Sequence, residues 1–283
     1  MVFNTLISIE ILAAHLDDPG WILVDCRFDL QNPGWGLEEY RRGHIPGAVY
    51  AHLNNNLSAP VTPSTGRHPL PEPEDFKALL SAWGVDSTKQ VVAYDSAGGA
   101  YAARLWWLLR FYRHPGTAVL DGGFARWLAE NRPTRPGIES NPPSWFEGTP
   151  DPSMMVSASE VDRIRLDPGF RLIDARTRSR FMGEGETIDP VAGHIPGAVN
   201  HFYGMNLKPD GTFKAPETLR TRFEGILGSV RSGNAVVYCG SGVTACHHLL
   251  AMEHAGLNGA RLYSGSWSEW IRDPNRPRTT GPV

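Results

Sequence analysis

The sequence predicts an α/β protein made of two copies of one domain, each a parallel sheet flanked by helices. The first observation is an internal repeat. Gly43-His44-Ile45-Pro46-Gly47-Ala48-Val49 returns letter for letter as Gly193 to Val199, and Ile22 to Arg27 (ILVDCR) returns as Arg171 to Arg176 (RLIDAR). Val91 to Asp95 (VVAYD) returns as Ala235 to Cys239 (AVVYC), and Asp121 to Trp127 answers Ser264 to Trp270, all in the same order. The second observation is that short apolar strands alternate with helical patterns in each copy, which implies a parallel sheet covered by helices. The third is a proline-rich stretch poor in apolar residues between the copies, as linkers are. The expected division is therefore an N-terminal domain over 1–131, a linker over 132–154 and a C-terminal domain over 155–283. Trp145 and Phe146 predict that the linker packs along a domain surface.

In the first copy Ser8 with Glu10 opens a helix, Ile22 to Val24 is a strand, and Pro73 to Trp83 is an amphipathic helix. Strands follow at Val91 to Tyr94 and Ala118 to Leu120, with helices over Ala100 to Phe111 and Phe124 to Glu130. In the second, helices are expected over Ser157 to Leu166, Thr218 to Leu227 and Ala245 to His254. Strands are expected at Leu172 to Ile173, Val236 to Tyr238 and Arg261 to Tyr263.

A net charge of −3 over 283 residues favours neither nucleic acid nor an anionic membrane as partner. Three cysteines, Cys26, Cys239 and Cys246, make no disulfide framework and fit a reducing compartment. Glu10 interrupts the first apolar run and no basic leader precedes it, so no signal peptide is expected; no apolar run reaches membrane-spanning length. The expectation is a soluble cytoplasmic protein with no cofactor. Cys246-His247-His248 with His254 does not make a metal site, because consecutive helical residues point apart and no second ligand cluster has suitable spacing.

The chemistry concentrates at Cys239-Gly240-Ser241-Gly242-Val243-Thr244, between a buried strand and a helix opening at Ala245. Such a junction aims backbone N–H groups at one point, and the helix dipole adds positive potential there. Cys239 is thus expected as a reactive thiolate. The amides of Gly240, Gly242, Val243, Thr244 and Ala245 are expected to hold an anion, and the Ser241 hydroxyl to hydrogen-bond sulfur or a carbonyl oxygen. Thr244 is expected to cap the helix and touch the sulfur.

The repeat separates scaffold from chemistry. Asp25 with Arg27 and Asp174 with Arg176 occur in both copies, as loop-closing pairs would. His44 and His194 also occur in both and read as tethers, with His44 kept as a possible contributor from the first domain. Asp95 stands where Cys239 stands; a carboxylate there either fills the anion site or caps the helix, and in both cases leaves the first domain inactive. Arg180 has no cationic counterpart near Gln31. It is expected in a loop leaving the strand, where its guanidinium suits a substrate carboxylate or sulfonate. Thr65 to Pro71, with Arg67 and His68, has no match in the second half and is either a roof over the active loop or a surface loop.

Asp174-Ala175-Arg176, Gly193 to Ala198, Cys239 to Thr244 and Gly265-Ser266-Trp267-Ser268-Glu269-Trp270 resemble the two-domain rhodanese-like sulfurtransferases, over essentially the whole chain. The resemblance implies a parallel five-stranded sheet in each half and activity in the C-terminal half only. It implies a cysteine that takes sulfane sulfur from a small-molecule donor as a persulfide and passes it to cyanide or a thiol, including a thioredoxin-like one. Gly240 and Ser241 resemble the branch acting on 3-mercaptopyruvate; the thiosulfate branch carries Arg and Lys there. Arg180 falls at that family's substrate-carboxylate arginine, whereas its second such arginine is missing and Glu184 to Asp189 is acidic instead. Two rivals remain from the residues themselves. Cysteine-dependent phosphatases and arsenate reductases need an arginine six residues after the cysteine, where Ala245 stands. A non-catalytic binding module leaves Cys239 and its glycines unexplained.

Overall fold

A computed structural model describes residues 2–282. Its contacts divide the chain into two compact units. One comprises the chain up to Ala59 with Leu70–Asp151 and Lys208–Phe213; the other comprises Pro60–Pro69, Pro152–Leu207 and the chain from Lys214 onward.

The first unit holds a five-stranded sheet of β1 (Leu6–Ile7), β2 (Trp21–Asp25), β3 (Val49–Tyr50), β4 (Gln90–Tyr94) and β5 (Thr117–Leu120). The order is β1-β5-β4-β2-β3, every pair parallel. Both faces of β4 are buried, which is why Gln90–Tyr94 reads as a continuous apolar run and not as an alternation. Helices Pro73–Ala82, Ala102–Phe111 and Gly123–Ala129 accompany it.

The second unit repeats the plan with β6 (Arg171–Asp174), β7 (Val199–Asn200), β8 (Ala235–Tyr238) and β9 (Arg261–Leu262), in the order β7-β6-β8-β9, again all parallel. Among the described residues it has four strands where the resemblance implied five. At the place of β1 only a single parallel bridge forms, Met155 with Leu262. Helices Ala158–Ile164, Pro216–Leu227 and Thr244–His254 match the expected ones within a few residues.

The repeated letters do the same work in both units. Trp127 and Trp270 are fully buried, and each indole N–H donates to a carbonyl, that of Pro133 at 2.8 Å and that of Pro277 at 2.9 Å. Arg27 closes on Asp25 at 2.6 Å and on the Gly43 carbonyl at 2.7 Å; Arg176 closes on Asp174 at 2.6 Å and on the Gly193 carbonyl at 2.8 Å. Burial works against the Arg176 charge, but Asp174 outweighs it and holds the guanidinium ionised. Gly47 and Gly197 sit at φ +80° and +91°, so the turn after each Ile-Pro uses backbone that a side chain would strain.

Three stretches lie apart from the sequence division. Pro60–Pro69 packs with the second unit, and Lys208–Phe213 with the first, where the Phe213 N–H donates to Asp121 Oδ1 at 2.8 Å. Residues 132–151 also cluster with the first unit: Ser144 Oγ donates to the Val85 carbonyl and Phe146 is buried, although Trp145 is 76% exposed.

Candidate active site

The strand β8 ends at Tyr238, and the helix Thr244–His254 begins after five residues that fold back over Cys239. Two sets of bonds fix that loop from Ser264 to Ser268. The Cys239 N–H donates to Ser266 Oγ at 3.0 Å, and the Trp267 and Ser268 N–H groups donate to the carbonyls of Cys239 and Gly240 at 3.0 and 2.9 Å. Gly242 sits at φ +76°, and a Cβ there would lie 2.2 Å from the Ser264 carbonyl oxygen, so only glycine fits. Its peptide is held from both ends. Its N–H donates to Cys239 Sγ at 3.2 Å, and its carbonyl accepts from the Cys246 thiol at 3.3 Å. Cys239 is 2% exposed at the base of this turn.

Ser241 Oγ and His68 Nδ1 share a 2.7 Å hydrogen bond, both side chains buried. The segment carrying His68 is locked to the same framework, since the Arg67 N–H donates to Ser268 Oγ at 2.9 Å. Gly66 approaches so closely that a Cβ would stand 2.5 Å from the Gly265 carbonyl oxygen. Arg67 and His68 therefore meet the cysteine loop, within one compact unit.

Arg180 lies in a short helix, Arg178–Met182, and not in the expected loop. Its Nε donates to Glu186 at 2.8 and 3.0 Å and its Nη2 to Asp189 at 2.7 Å. Arg67 Nη1 reaches the other oxygen of Asp189 at 2.5 Å. Both guanidiniums border Gly240: a Cβ there would be 2.9 Å from Arg67 Nη2 and 3.4 Å from Arg180 Nη1 and Nη2. Burial would raise the Glu186 pKa, but the Arg180 hydrogen bond and the Ile188 and Asp189 amides prevail and hold it below its usual value.

His44 is not brought to this loop. Its ring is fully buried in the first unit, stacked on Tyr40, with Nδ1 donating to the Tyr40 carbonyl at 2.7 Å. Its repeat partner His194 makes the same kind of bond, to the Phe181 carbonyl at 2.8 Å. Thr244 is the first helical residue and not the cap; Val243 holds that position, without a side-chain hydrogen bond. His247 and His248 are buried and meet Asn206 Nδ2 at 3.3 and 3.0 Å. Sequence reasoning missed Glu186 and Asp189 as partners of the arginines. The acidic run 184–189 after Arg180 was the available signal.

In the first unit Asp95 takes the place of the sulfur. Its Oδ1 accepts from the Ala97 and Gly99 N–H groups at 2.7 and 2.9 Å, and Oδ2 from Tyr101 and Ala102 at 2.8 and 2.9 Å. Among the described residues, no helix is long and apolar enough to cross a membrane.

Residues 8–130 and 157–273 each match the rhodanese-like domain. A Pseudomonas aeruginosa protein described as a probable 3-mercaptopyruvate sulfurtransferase is 48% identical over 278 residues, 98% of both chains. A thiosulfate sulfurtransferase of Cricetulus griseus is 30% identical over 280 residues, 96% of this chain and 93% of the relative. Among solved structures, 3-mercaptopyruvate sulfurtransferase from Leishmania major superposes with a TM-score of 0.84 at 31% identity, covering 96% of this chain and 76% of that one. The chain belongs to the rhodanese-like family and carries two copies of its domain in tandem.

Proposed function

We propose that this protein moves sulfane sulfur through a persulfide on Cys239, with 3-mercaptopyruvate as donor and a thiol or cyanide as acceptor. The observation that carries the reading is the loop itself: a cysteine under an inward N–H, beside a hydrogen-bonded Ser241–His68 pair and two arginines at Gly240. The Cys239 thiolate attacks the donor's sulfur; an S–S bond forms, the donor's C–S bond breaks, and the electron pair leaves on the enolate of pyruvate. Arg180 and Arg67 orient the donor's carboxylate by forked hydrogen bonds. Ser241, coupled to His68, supplies the proton that turns the enolate into pyruvate. The loop amides then hold the persulfide until cyanide or a thiol takes its outer sulfur. No step calls for a metal or cofactor.

The thiosulfate reading has the same nucleophile but a dianionic donor. The cations near Gly240 are matched here by Glu186 and Asp189, which favours the singly charged donor. The test compares pyruvate release from 3-mercaptopyruvate with thiocyanate formation from thiosulfate and cyanide, on wild type and Cys239→Ser. Wild type should favour the first donor, and the serine variant should lose turnover and the persulfide mass increment together. Turnover retained by the variant would remove Cys239 as nucleophile.

A further inference from the structure

One buried carboxylate stands between the two arginines of the cysteine loop. The Asp189 side chain is 1% exposed and gives one oxygen to Arg67 and the other to Arg180. The Glu186 side chain, 3% exposed, takes Arg180 Nε and stands 3.6 Å from Arg176 Nη1, whose own guanidinium is already closed on Asp174. Three guanidiniums (Arg67, Arg176 and Arg180) thus face three carboxylates (Asp174, Glu186 and Asp189), so the wall beside Gly240 offers oriented donors without surplus positive charge. Arg67 Nε is buried and has no hydrogen-bond partner among the described residues, a donor left for something else.

We propose that Asp189 is a specificity-determining residue, which sets this wall for a donor bearing one negative charge and against one bearing two. This rests on the donor reading above. A single carboxylate gains the hydrogen bonds of Arg67 and Arg180 with little net repulsion. A dianion such as thiosulfate brings a second charge beside Asp189 and Glu186, and little screening reaches carboxylates so deeply buried. Removing the Asp189 charge leaves the arginines with a surplus that rewards each negative charge on the donor, so the dianion gains more.

The test is the full-length Asp189→Asn variant, assayed with both donors at fixed ionic strength. The expected result is a kcat/KM ratio shifted about tenfold toward thiosulfate relative to 3-mercaptopyruvate. A ratio moved by less than about threefold, even if both activities fall together, assigns Asp189 a purely structural role and overturns the proposal. Should the variant fail to fold, inhibition of wild type decides. Pyruvate and acetate should compete with 3-mercaptopyruvate at lower concentration than sulfate or oxalate do, and dianions inhibiting as well or better would overturn it. If wild type itself releases no pyruvate and forms no persulfide, the donor reading has failed, a result distinct from an unmoved ratio in an active enzyme.

Discussion

The turn after β4 and the turn after β8 enclose different groups. In the first unit the Asp95 carboxylate takes four backbone N–H groups, and Gly98 and Gly99 at φ +65° and +90° let the chain wrap it. In the second, Gly242 at φ +76° is followed by Val243 at φ −91°, and the Gly242 N–H reaches the Cys239 sulfur. One device thus turns backbone N–H groups toward the side chain that ends the strand in both units. A carboxylate with two oxygens consumes the donors permanently; a single sulfur keeps the turn available for a second sulfur. On this comparison we propose that the first unit is catalytically silent because its anion site is already filled by its own chain.

Removing that internal anion is expected to have the largest effect on stability. Asp95→Ala would leave four backbone N–H groups, two of them buried, without their acceptor, at a cost of about 3–5 kcal/mol. Denaturant unfolding of the variant checks this, and a loss below about 1 kcal/mol would mean that water replaces the carboxylate readily and that the cradle is not built around it. Gly242→Ala comes next. Its Cβ would press on the Ser264 carbonyl oxygen at a positive φ, so about 2–3 kcal/mol of stability should be lost. Because the same peptide donates to the sulfur, kcat should fall about a hundredfold as well. Unfolding and steady-state kinetics on one preparation separate the two effects; stability lost with kcat intact would show that the Gly242 N–H does not assist the reaction.

The parts visible in the sequence are those fixed by local pattern. β4 and β8 read as buried strands because both faces are covered, and the repeat located the two junctions and their exchange of Asp95 for Cys239. What stayed hidden depends on partners distant in sequence. Nothing local says that Arg67 and His68 belong with residues 122 and more positions later; their lack of a repeat counterpart was the one hint. The helix Arg178–Met182 is too short to show a period, and β1, β3 and β7 are only two residues each. Glu186 and Asp189 read as an acidic departure, yet their role as counter-ions to Arg180 and Arg67 requires the folded loop.

The helices behind the two junctions sharpen the comparison in a milder way. Nine residues after Asp95 the helix carries Arg104, whose guanidinium faces the Leu57 carbonyl at 3.4 Å; nine residues after Cys239 it carries His248. His248 Nε2 donates to the His201 carbonyl at 2.6 Å, and the two imidazoles meet at 3.1 Å. Burial, aided by Arg222 and Lys214, lowers the His201 pKa from 6.5 to about 4, and burial with the neighbouring imidazoles lowers that of His248. A histidine depressed in the folded state binds fewer protons there than when unfolded. Its contribution is therefore complete above pH 6.5 and is lost as the pH falls toward about 4. For His201, which keeps some exposure, the loss across that window should be about 1–2 kcal/mol. Unfolding free energies measured at several pH values across this window, for wild type and His201→Asn, should show a shallower decline in the variant. Equal slopes would place the acid sensitivity outside the histidine cluster, and the contrast between the two helices would then carry no thermodynamic weight.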